Sequence, residues 1–139
     1  MENCLYCQRN QTQKELMIEI CDLKASTVFL FKEQSHPGRC VVAFKDHVNE
    51  LFEIDDKDYQ LFLEDVKKVG KTLKQLFEPT KVNFGAYSDT LHHVHFHLVP
   101  KYEGEFEFGG VFEMNPKKCY LTEQEYTDRV ELIRNALNK

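Results

Sequence analysis

The sequence lacks a hydrophobic run long enough to cross a membrane, and it lacks a basic-then-apolar segment at its start. It also lacks an excess of positive charge, because its 139 residues carry a formal net charge of -5. That charge argues against general nucleic-acid binding, so any phosphate must be recognised by a few placed groups. Internal repeats, low-complexity tracts and linkers are absent as well, and we therefore expect one domain over residues 1–139.

The five cysteines are an odd number in a chain without a secretory signal. This predicts a reducing, cytoplasmic location and not a disulfide framework. Cys4 and Cys7 form a C-x-x-C pair, which is ambiguous among half a zinc site, a redox pair and chance. The redox interpretation is disfavoured because no strand pattern leads into the pair and no helix pattern follows. If zinc is bound, two further ligands must come from far along the chain, and histidines are the natural donors.

The most informative stretch alternates histidine with apolar residues: His93-Val94-His95-Phe96-His97-Leu98. This period of two predicts a β-strand with three imidazoles on one face. A lone histidine is usually a surface or hydrogen-bonded core residue, but three aligned histidines offer ligands or nucleophiles. Strand geometry puts His93 about 13 Å from His97, too far for one ion to bind both comfortably. Two neighbouring imidazoles beside one phosphorus, with the third used elsewhere, is the easier arrangement.

Four further segments have the pattern of short strands, at residues 16–21, 26–31, 39–44 and 81–85. The third is almost continuously apolar, which predicts a central strand. The stretch 103–116 is rich in glycine and acidic residues, and we expect an irregular loop that reaches over the site.

Two amphipathic helices are predicted. Asp55 is a good N-cap for the first, which Pro79 ends, and Thr122 with Glu125 forms a capping box for the second. The residues expected to face inward are Tyr59, Phe62, Val66, Val69, Leu73 and Leu76 in the first helix, and Tyr126, Val130, Ile133 and Leu137 in the second.

Polar residues precede the histidine strand, and the 86–90 loop should hang over His95 and His97. Asn83, Ser88 and Thr90 offer neutral donors for phosphate oxygens, although ordinary turn formation explains such residues equally well.

The motif His93-Val94-His95-Phe96-His97-Leu98-Val99 resembles the signature of the histidine-triad (HIT) family, which is His-φ-His-φ-His-φ-φ with φ apolar. The Pro37-Gly38 break before a hydrophobic strand, the long middle helix and the polar loop occur in the family's order. The 83–90 region and the Pro100-Lys101 ending look like the branch of bacterial HIT hydrolases and the fragile histidine triad protein. The resemblance implies an α+β domain with an antiparallel sheet, one long middle helix and a C-terminal helix, usually assembled as a homodimer.

The resemblance also implies a nucleotide hydrolase that acts on dinucleoside polyphosphates or nucleoside phosphoramidates, with a purine nucleotide or dinucleotide as substrate. His95 matches the nucleophile of a covalent nucleotidyl intermediate, and His97 matches the phosphate-contacting histidine. Thr90 and Asn83 match phosphate-side donors, and Ser88 belongs to the same polar loop. Imidazole has a pKa near 6.5, so it is mostly neutral and nucleophilic at cytosolic pH, and a covalent intermediate divides a hard displacement into two easier ones.

Some HIT proteins resemble this chain in four zinc-ligand positions, here occupied by Cys4, Cys7, His47 and His93. Two thiolates and two imidazoles close a tetrahedron, so the implied zinc is structural, and no organic cofactor is implied. Without the resemblance, His47 could equally be a solvated loop residue.

Two positions depart from the family pattern. Asp89 stands where many members carry a neutral residue, and a carboxylate beside a phosphate is repulsive unless it is paired, for instance with His92. The ribose-binding residue should precede Pro37-Gly38, which leaves Glu33 or Gln34.

Three alternative functions follow from the same residues: a nucleotidyltransferase or phosphorylase of the same fold, a metalloenzyme with three histidine ligands, and a non-catalytic nucleotide-binding module. A structural zinc is lost when Cys4 and Cys7 are removed, whereas a three-histidine metal site keeps its ion.

Overall fold

The centre of the fold is an antiparallel sheet. A computed structural model describes residues 4–139 of the chain. The strands are β1 (Met17–Asp22), β2 (Ser26–Phe31), β3 (Cys40–Phe44), β4 (Lys81–Gly85) and β5 (His95–Lys101). They lie in the order β1-β2-β3-β5-β4, and each neighbouring pair is antiparallel. β3 is in the middle and is buried throughout, as its apolar sequence predicted. The predicted α+β class with an antiparallel sheet is confirmed.

Two long helices cover one face of the sheet. They are α3 (Asp56–Phe77) and α4 (Glu123–Leu137), and they start at the predicted caps, Asp55 and Thr122. Their apolar faces join the sheet in one core, which includes Val28, Leu30, Val42, Phe62, Val66, Val69, Leu73, Leu98, Val130, Ile133 and Leu137. Tyr59 was expected to face this core, but its side chain is 37% exposed, because it lies in the first turn of α3, at the N-terminal end of the helix.

The opposite face of the sheet is covered by the N-terminal segment. Its two short helices, α1 (Leu5–Gln8) and α2 (Gln11–Leu16), were not predicted, because no helix pattern follows the cysteine pair in the sequence. Helices of four and six residues are too short to show a hydrophobic period. The segment contributes Cys4, Leu5, Tyr6 and Met17 to a second buried cluster, with Phe29, Phe31, Val41 and Ala43 from the sheet.

The histidine strand starts later than the alternation suggests. β5 begins at His95, and His93 lies in the turn before it, where its N–H donates to Leu91 O. In the β3–β5 register His95 pairs with Ala43, and His97 pairs with Val41. Both imidazoles therefore lie on the face that the N-terminal segment covers, whereas Leu98 belongs to the helix-side core.

Residues 103–116, here named the covering segment, contain no helix or strand, as expected. The segment is anchored by Glu107, whose carboxylate contacts His36 Nε2 at 2.6 Å and accepts from Glu113 N at 3.0 Å. Lys101 Nζ donates to the carbonyl oxygens of Glu107 and Gly110. Within residues 4–139, no helix is both long enough and apolar enough to cross a membrane.

Candidate active site and metal centre

A cavity of about 830 Å³ opens on the histidine face of the sheet. Its lining combines His95 and His97 with the predicted 86–90 loop and with the covering segment. The lining residues are Leu5, Tyr6, Leu16, Met17, Phe31, Tyr87, Ser88, Asp89, Thr90, Leu91, His95, His97, Val111, Phe112, Met114 and Asn115. A cavity of this size, apolar with a few convergent polar groups, is typical of a small-molecule site.

His95 presents one free nitrogen to this cavity. Its Nδ1 lies 2.7 Å from His93 O, and since a carbonyl only accepts, Nδ1 carries the proton and Nε2 carries the lone pair. The Tyr6 ring packs 4.9 Å from the His95 ring, centroid to centroid. Burial lowers the pKa of His95 and outweighs the opposing effect of the His93 carbonyl, so the ring is neutral at physiological pH.

His97 lies beside His95, with ring centroids 5.5 Å apart. Its Nδ1 is 3.1 Å from Nη2 of Arg39, so its Nε2 carries the proton. Burial, helped by the positive charge of Arg39 and by His95, lowers the pKa of His97 to about 3. The two histidines therefore have complementary roles, because one offers a lone pair and the other offers an N–H.

Arg39 is a residue that the sequence analysis did not identify. It is fully buried at 0% exposure, directly before β3, and its guanidinium packs between the rings of Phe31 and Phe112. The available signal was a charged residue at the start of an otherwise apolar central strand. That signal is weak, because strand ends commonly carry charged residues at the surface.

The predicted phosphate-binding residues separate into two groups. Ser88 and Thr90 line the main cavity with His95 and His97. Asn83 pairs with Val99 on β5 and lines a smaller neighbouring cavity, on the far side of Tyr87 and Phe112.

The rings of Tyr87 and Phe112 pack 6.1 Å apart over Gly85, which pairs with His97. A Cβ atom at Gly85 would lie 2.6 Å from Phe112 Cζ, so the glycine permits this packing.

Glu33 and Gln34, the residues considered for ribose binding, do not line the cavity. Glu33 accepts from Ser35 Oγ and from the backbone N–H groups of Lys118 and Cys119. Gln34 donates to Phe31 O and accepts from Gly38 N. Both side chains are buried and hold the turn before Arg39, which is a structural role.

Cys4, Cys7, His47 and His93 form a second cluster, in which the potential ligand atoms all lie within 4.8 Å of one another. His93 Nδ1 is 3.4 Å from Cys4 Sγ and 3.6 Å from Cys7 Sγ, and His47 Nδ1 is 3.5 Å from Cys7 Sγ. Ligands around a tetrahedral Zn²⁺ are separated by about 3.6 Å, so these distances fit the ion.

The orientation of His93 also fits a metal ligand. Its Nε2 is 2.7 Å from Phe44 O, so Nε2 carries the proton and the Nδ1 lone pair faces the two thiols. A backbone acceptor of this kind commonly orients a metal-ligating histidine. Tyr6 lies between the two cysteines in the chain, and its ring is 5.3 Å from His93 and 4.9 Å from His95. The metal cluster and the cavity are therefore adjacent, and the Tyr6 ring contacts a histidine of each.

Comparison with known proteins identifies the family. The sequence model of the HIT domain matches residues 13–104, which is more than half of the chain. The chain belongs to the HIT family.

Two curated relatives are similar in sequence. An uncharacterized HIT-like protein of Methanocaldococcus jannaschii is 31% identical over 83 residues, which cover 57% of this chain and 64% of that protein. This chain thus matches less than two thirds of that relative's length. An adenosine 5′-monophosphoramidase of Schizosaccharomyces pombe is 22% identical over 133 residues, covering 93% of this chain and 99% of that protein.

Two solved structures share the fold. A histidine triad protein of Bradyrhizobium japonicum superposes with a TM-score of 0.83 at 18% identity, and the alignment covers 92% of this chain and 96% of that one. A zinc-bound histidine triad family protein of Mycobacterium smegmatis has a TM-score of 0.69 at 17% identity, covering 99% and 94%.

Proposed function

We propose that this protein is a nucleotide hydrolase that cleaves dinucleoside polyphosphates or nucleoside phosphoramidates at the α-phosphate through a covalent intermediate on His95. The observation that carries the proposal is the state of this imidazole, because it is neutral, its Nδ1 proton is held by His93 O, and its Nε2 lone pair is free beside a ligand-sized cavity. The activity in the name of the fission-yeast relative, a monophosphoramidase, belongs to the same reaction class.

In the first step, Nε2 of His95 supplies an electron pair to the α-phosphorus. The bond from phosphorus to the leaving oxygen or nitrogen breaks as water gives a proton to that atom, and the leaving group departs with the electron pair of the bond. As positive charge develops on the His95 ring, His93 O stabilises the Nδ1 proton. In the second step, water attacks the phosphorus, releases a nucleoside monophosphate and restores the neutral imidazole.

Neutral donors around the cavity would hold the phosphate oxygens. The Nε2 proton of His97 and the hydroxyl groups of Ser88 and Thr90 are available for this, since all three residues line the cavity. Leu16, Met17 and Phe31 supply an apolar wall suited to a purine base. Asn83 would reach only a substrate that extends past Phe112 into the neighbouring cavity.

We also propose that Cys4, Cys7, His47 and His93 hold a structural Zn²⁺. The set provides two thiolates and two imidazoles with no position left for substrate, which is the donor set of a structural site. The ion would join the N-terminal segment to the turn before β5. The thiolates would remain available in a reducing compartment, which fits the cytoplasmic location predicted from the sequence.

Residues 1–139 are proposed to act as one domain, and two copies are proposed to form a homodimer. The edge strand β4 presents Phe84 at 52% exposure, a side chain that a second copy would cover. Light scattering coupled to size exclusion tests this, since a dimer has twice the chain mass of 16.4 kDa. A mass of one chain at micromolar concentration would reject the dimer.

Intact-mass spectrometry tests the central proposal. Wild type, His95→Asn, His97→Asn and the control His92→Asn are mixed with adenosine 5′-phosphoramidate or with diadenosine triphosphate. We expect a nucleoside monophosphate adduct on wild type, longer-lived on His97→Asn, and none on His95→Asn. The control should behave as wild type, because His92 is exposed and lies outside the main cavity.

An adduct that survives in His95→Asn, or no adduct and no turnover in wild type, would overturn the assignment. Product analysis with and without inorganic phosphate then separates hydrolysis, which yields the monophosphate in both cases, from transfer to phosphate.

A further inference from the structure

Arg39 is a buried cation whose surroundings are unusual for an arginine. It has no exposed surface, and its neighbours above and below are the aromatic rings of Phe31 at 4.4 Å and Phe112 at 4.9 Å. Arginine is rarely fully buried unless it is paired, because removing a charge from water is costly. Among residues 4–139, however, no ion pair joins Arg39 to a carboxylate.

The hydrogen bonds of Arg39 go to the active site instead. Nη1 donates to Glu113 O at 3.0 Å, and Nη2 donates to Met114 O at 2.9 Å, so two bonds hold the covering segment. The remaining contact joins Nη2 to Nδ1 of His97 at 3.1 Å. Arg39 Nε finds no partner in the described part of the chain. The guanidinium is therefore fixed by two carbonyl groups and one imidazole nitrogen.

That contact decides the protonation of His97. A guanidinium has donors and no acceptor, so His97 Nδ1 must accept and its single proton must be on Nε2. An imidazolium would bring two donors together and place a second positive charge beside the first. The groups that face the ring are Arg39 and, from the same strand, His95, with Phe31 and Phe112 on the apolar sides.

Building on the proposed function, we propose that Arg39 is a positioning residue that locks His97 as the Nε2–H tautomer, so that His97 serves the α-phosphate as a neutral hydrogen-bond donor. His97 then keeps its proton throughout the reaction, because losing it would leave an imidazolate. The leaving group takes the electron pair of the broken bond and receives its proton from water. The same guanidinium donates two hydrogen bonds to the covering segment, so the position of that segment and the tautomer of His97 both depend on Arg39.

Long-range ¹H–¹⁵N correlation spectra of histidine-labelled protein test this directly, without any turnover. In wild type we expect only the Nε2–H tautomer of His97 and no titration of its ring between pH 7 and pH 5. In Arg39→Met, which keeps side-chain bulk between the two aromatic rings, Nδ1 of His97 loses its hydrogen-bond donor, and the Nδ1–H tautomer should appear. The kcat/KM of Arg39→Met should fall about 10- to 100-fold, the size of loss known for removal of a hydrogen-bond partner that orients a metal-ligating histidine.

Two matched variants separate this role from a merely structural one. Arg134→Met removes an arginine that donates to Ile20 O, far from the cavity, and should leave the His97 spectrum and the activity unchanged. Glu107→Gln weakens the anchor of the covering segment without removing Arg39, and should raise KM while His97 keeps its Nε2–H tautomer.

The proposal is overturned if His97 in Arg39→Met keeps only the wild-type tautomer, or if Glu107→Gln changes the tautomer as Arg39→Met does. Failure of the proposed function appears separately, as absence of the nucleotidyl adduct and of turnover in wild type.

Discussion

Replacing Cys7 with serine should abolish binding of the proposed zinc ion and loosen the N-terminal segment. Cys7 is exposed, so the substitution removes a ligand with little loss of packing. Cys7 and His93 are 86 residues apart in the chain, and a cross-link across a loop of that length stabilises the folded state by about 4 to 5 kcal/mol in the chain-entropy account. For a domain of this size, that corresponds to a fall in Tm of roughly 15 °C.

The measurement combines zinc content by atomic emission with thermal unfolding before and after chelation. We expect one equivalent of zinc in wild type and in the matched control Cys119→Ser, and loss of the ion in Cys7→Ser. Activity should also fall, because Tyr6 packs on the His95 ring from the segment that the proposed ion would anchor.

The reasoning is refuted if Cys7→Ser retains its zinc, as a three-histidine site would predict, or if chelation leaves the wild-type Tm unchanged.

Further predictions concern pH and packing. The pKa of His97 is about 3 in the folded state, so between pH 6.5 and pH 3 the unfolded chain takes up a proton that the folded chain does not. The free energy of unfolding therefore falls by up to about 1.4 kcal/mol per pH unit as the pH drops through this range, and His97 causes no such fall above pH 6.5. Urea unfolding at pH 7, 6 and 5 should therefore show that the free energy of unfolding falls less steeply with decreasing pH in His97→Asn than in wild type. Equal slopes in the two proteins would contradict this. Gly85→Ala should raise KM several-fold by displacing the Phe112 ring, at a stability cost of about 1 kcal/mol, and an unchanged KM would show that the ring does not shape the site. Asp65→Asn should lower the free energy of unfolding by about 2 kcal/mol, because this buried carboxylate accepts from Ala25 N at 2.8 Å, while kcat stays unchanged; a loss of activity in the folded variant would link it to the site.

The arrangement explains how a chain with net negative charge could handle a phosphate. The cavity lining contains no lysine or arginine among the described residues, and its donors are neutral N–H and O–H groups. Arg39 is a cation close to this lining, but it is buried from solvent and contacts Nδ1 of His97. Removal of either histidine therefore tests a specific chemical role and not a general loss of positive charge.

Local sequence patterns determined most of the secondary structure. Asp55 and Thr122 begin the long helices because capping groups act on backbone atoms a few residues away, and Pro79 follows the end of the first because proline cannot continue a helix. The alternation predicted three imidazoles on one strand face; this is correct for His95 and His97, since side-chain direction in a strand depends only on position, and wrong for His93, which precedes β5. The features that were correct have short-range causes.

Long-range packing decided the parts that the sequence could not show. Arg39 contacts His97 only because β3 and β5 pair. The two residues are 58 positions apart in the sequence, so no local pattern indicates the contact. Asn83 is separated from the main cavity by the rings of Tyr87 and Phe112, which come from different segments. His93 lies just before β5, and its Nδ1 faces the thiols of Cys4 and Cys7, which are more than 80 positions earlier in the sequence. Composition and periodicity identify which groups are present, whereas the contacts of His93 with Cys4 and of His97 with Arg39 depend on atoms that only the folded chain brings within 4 Å.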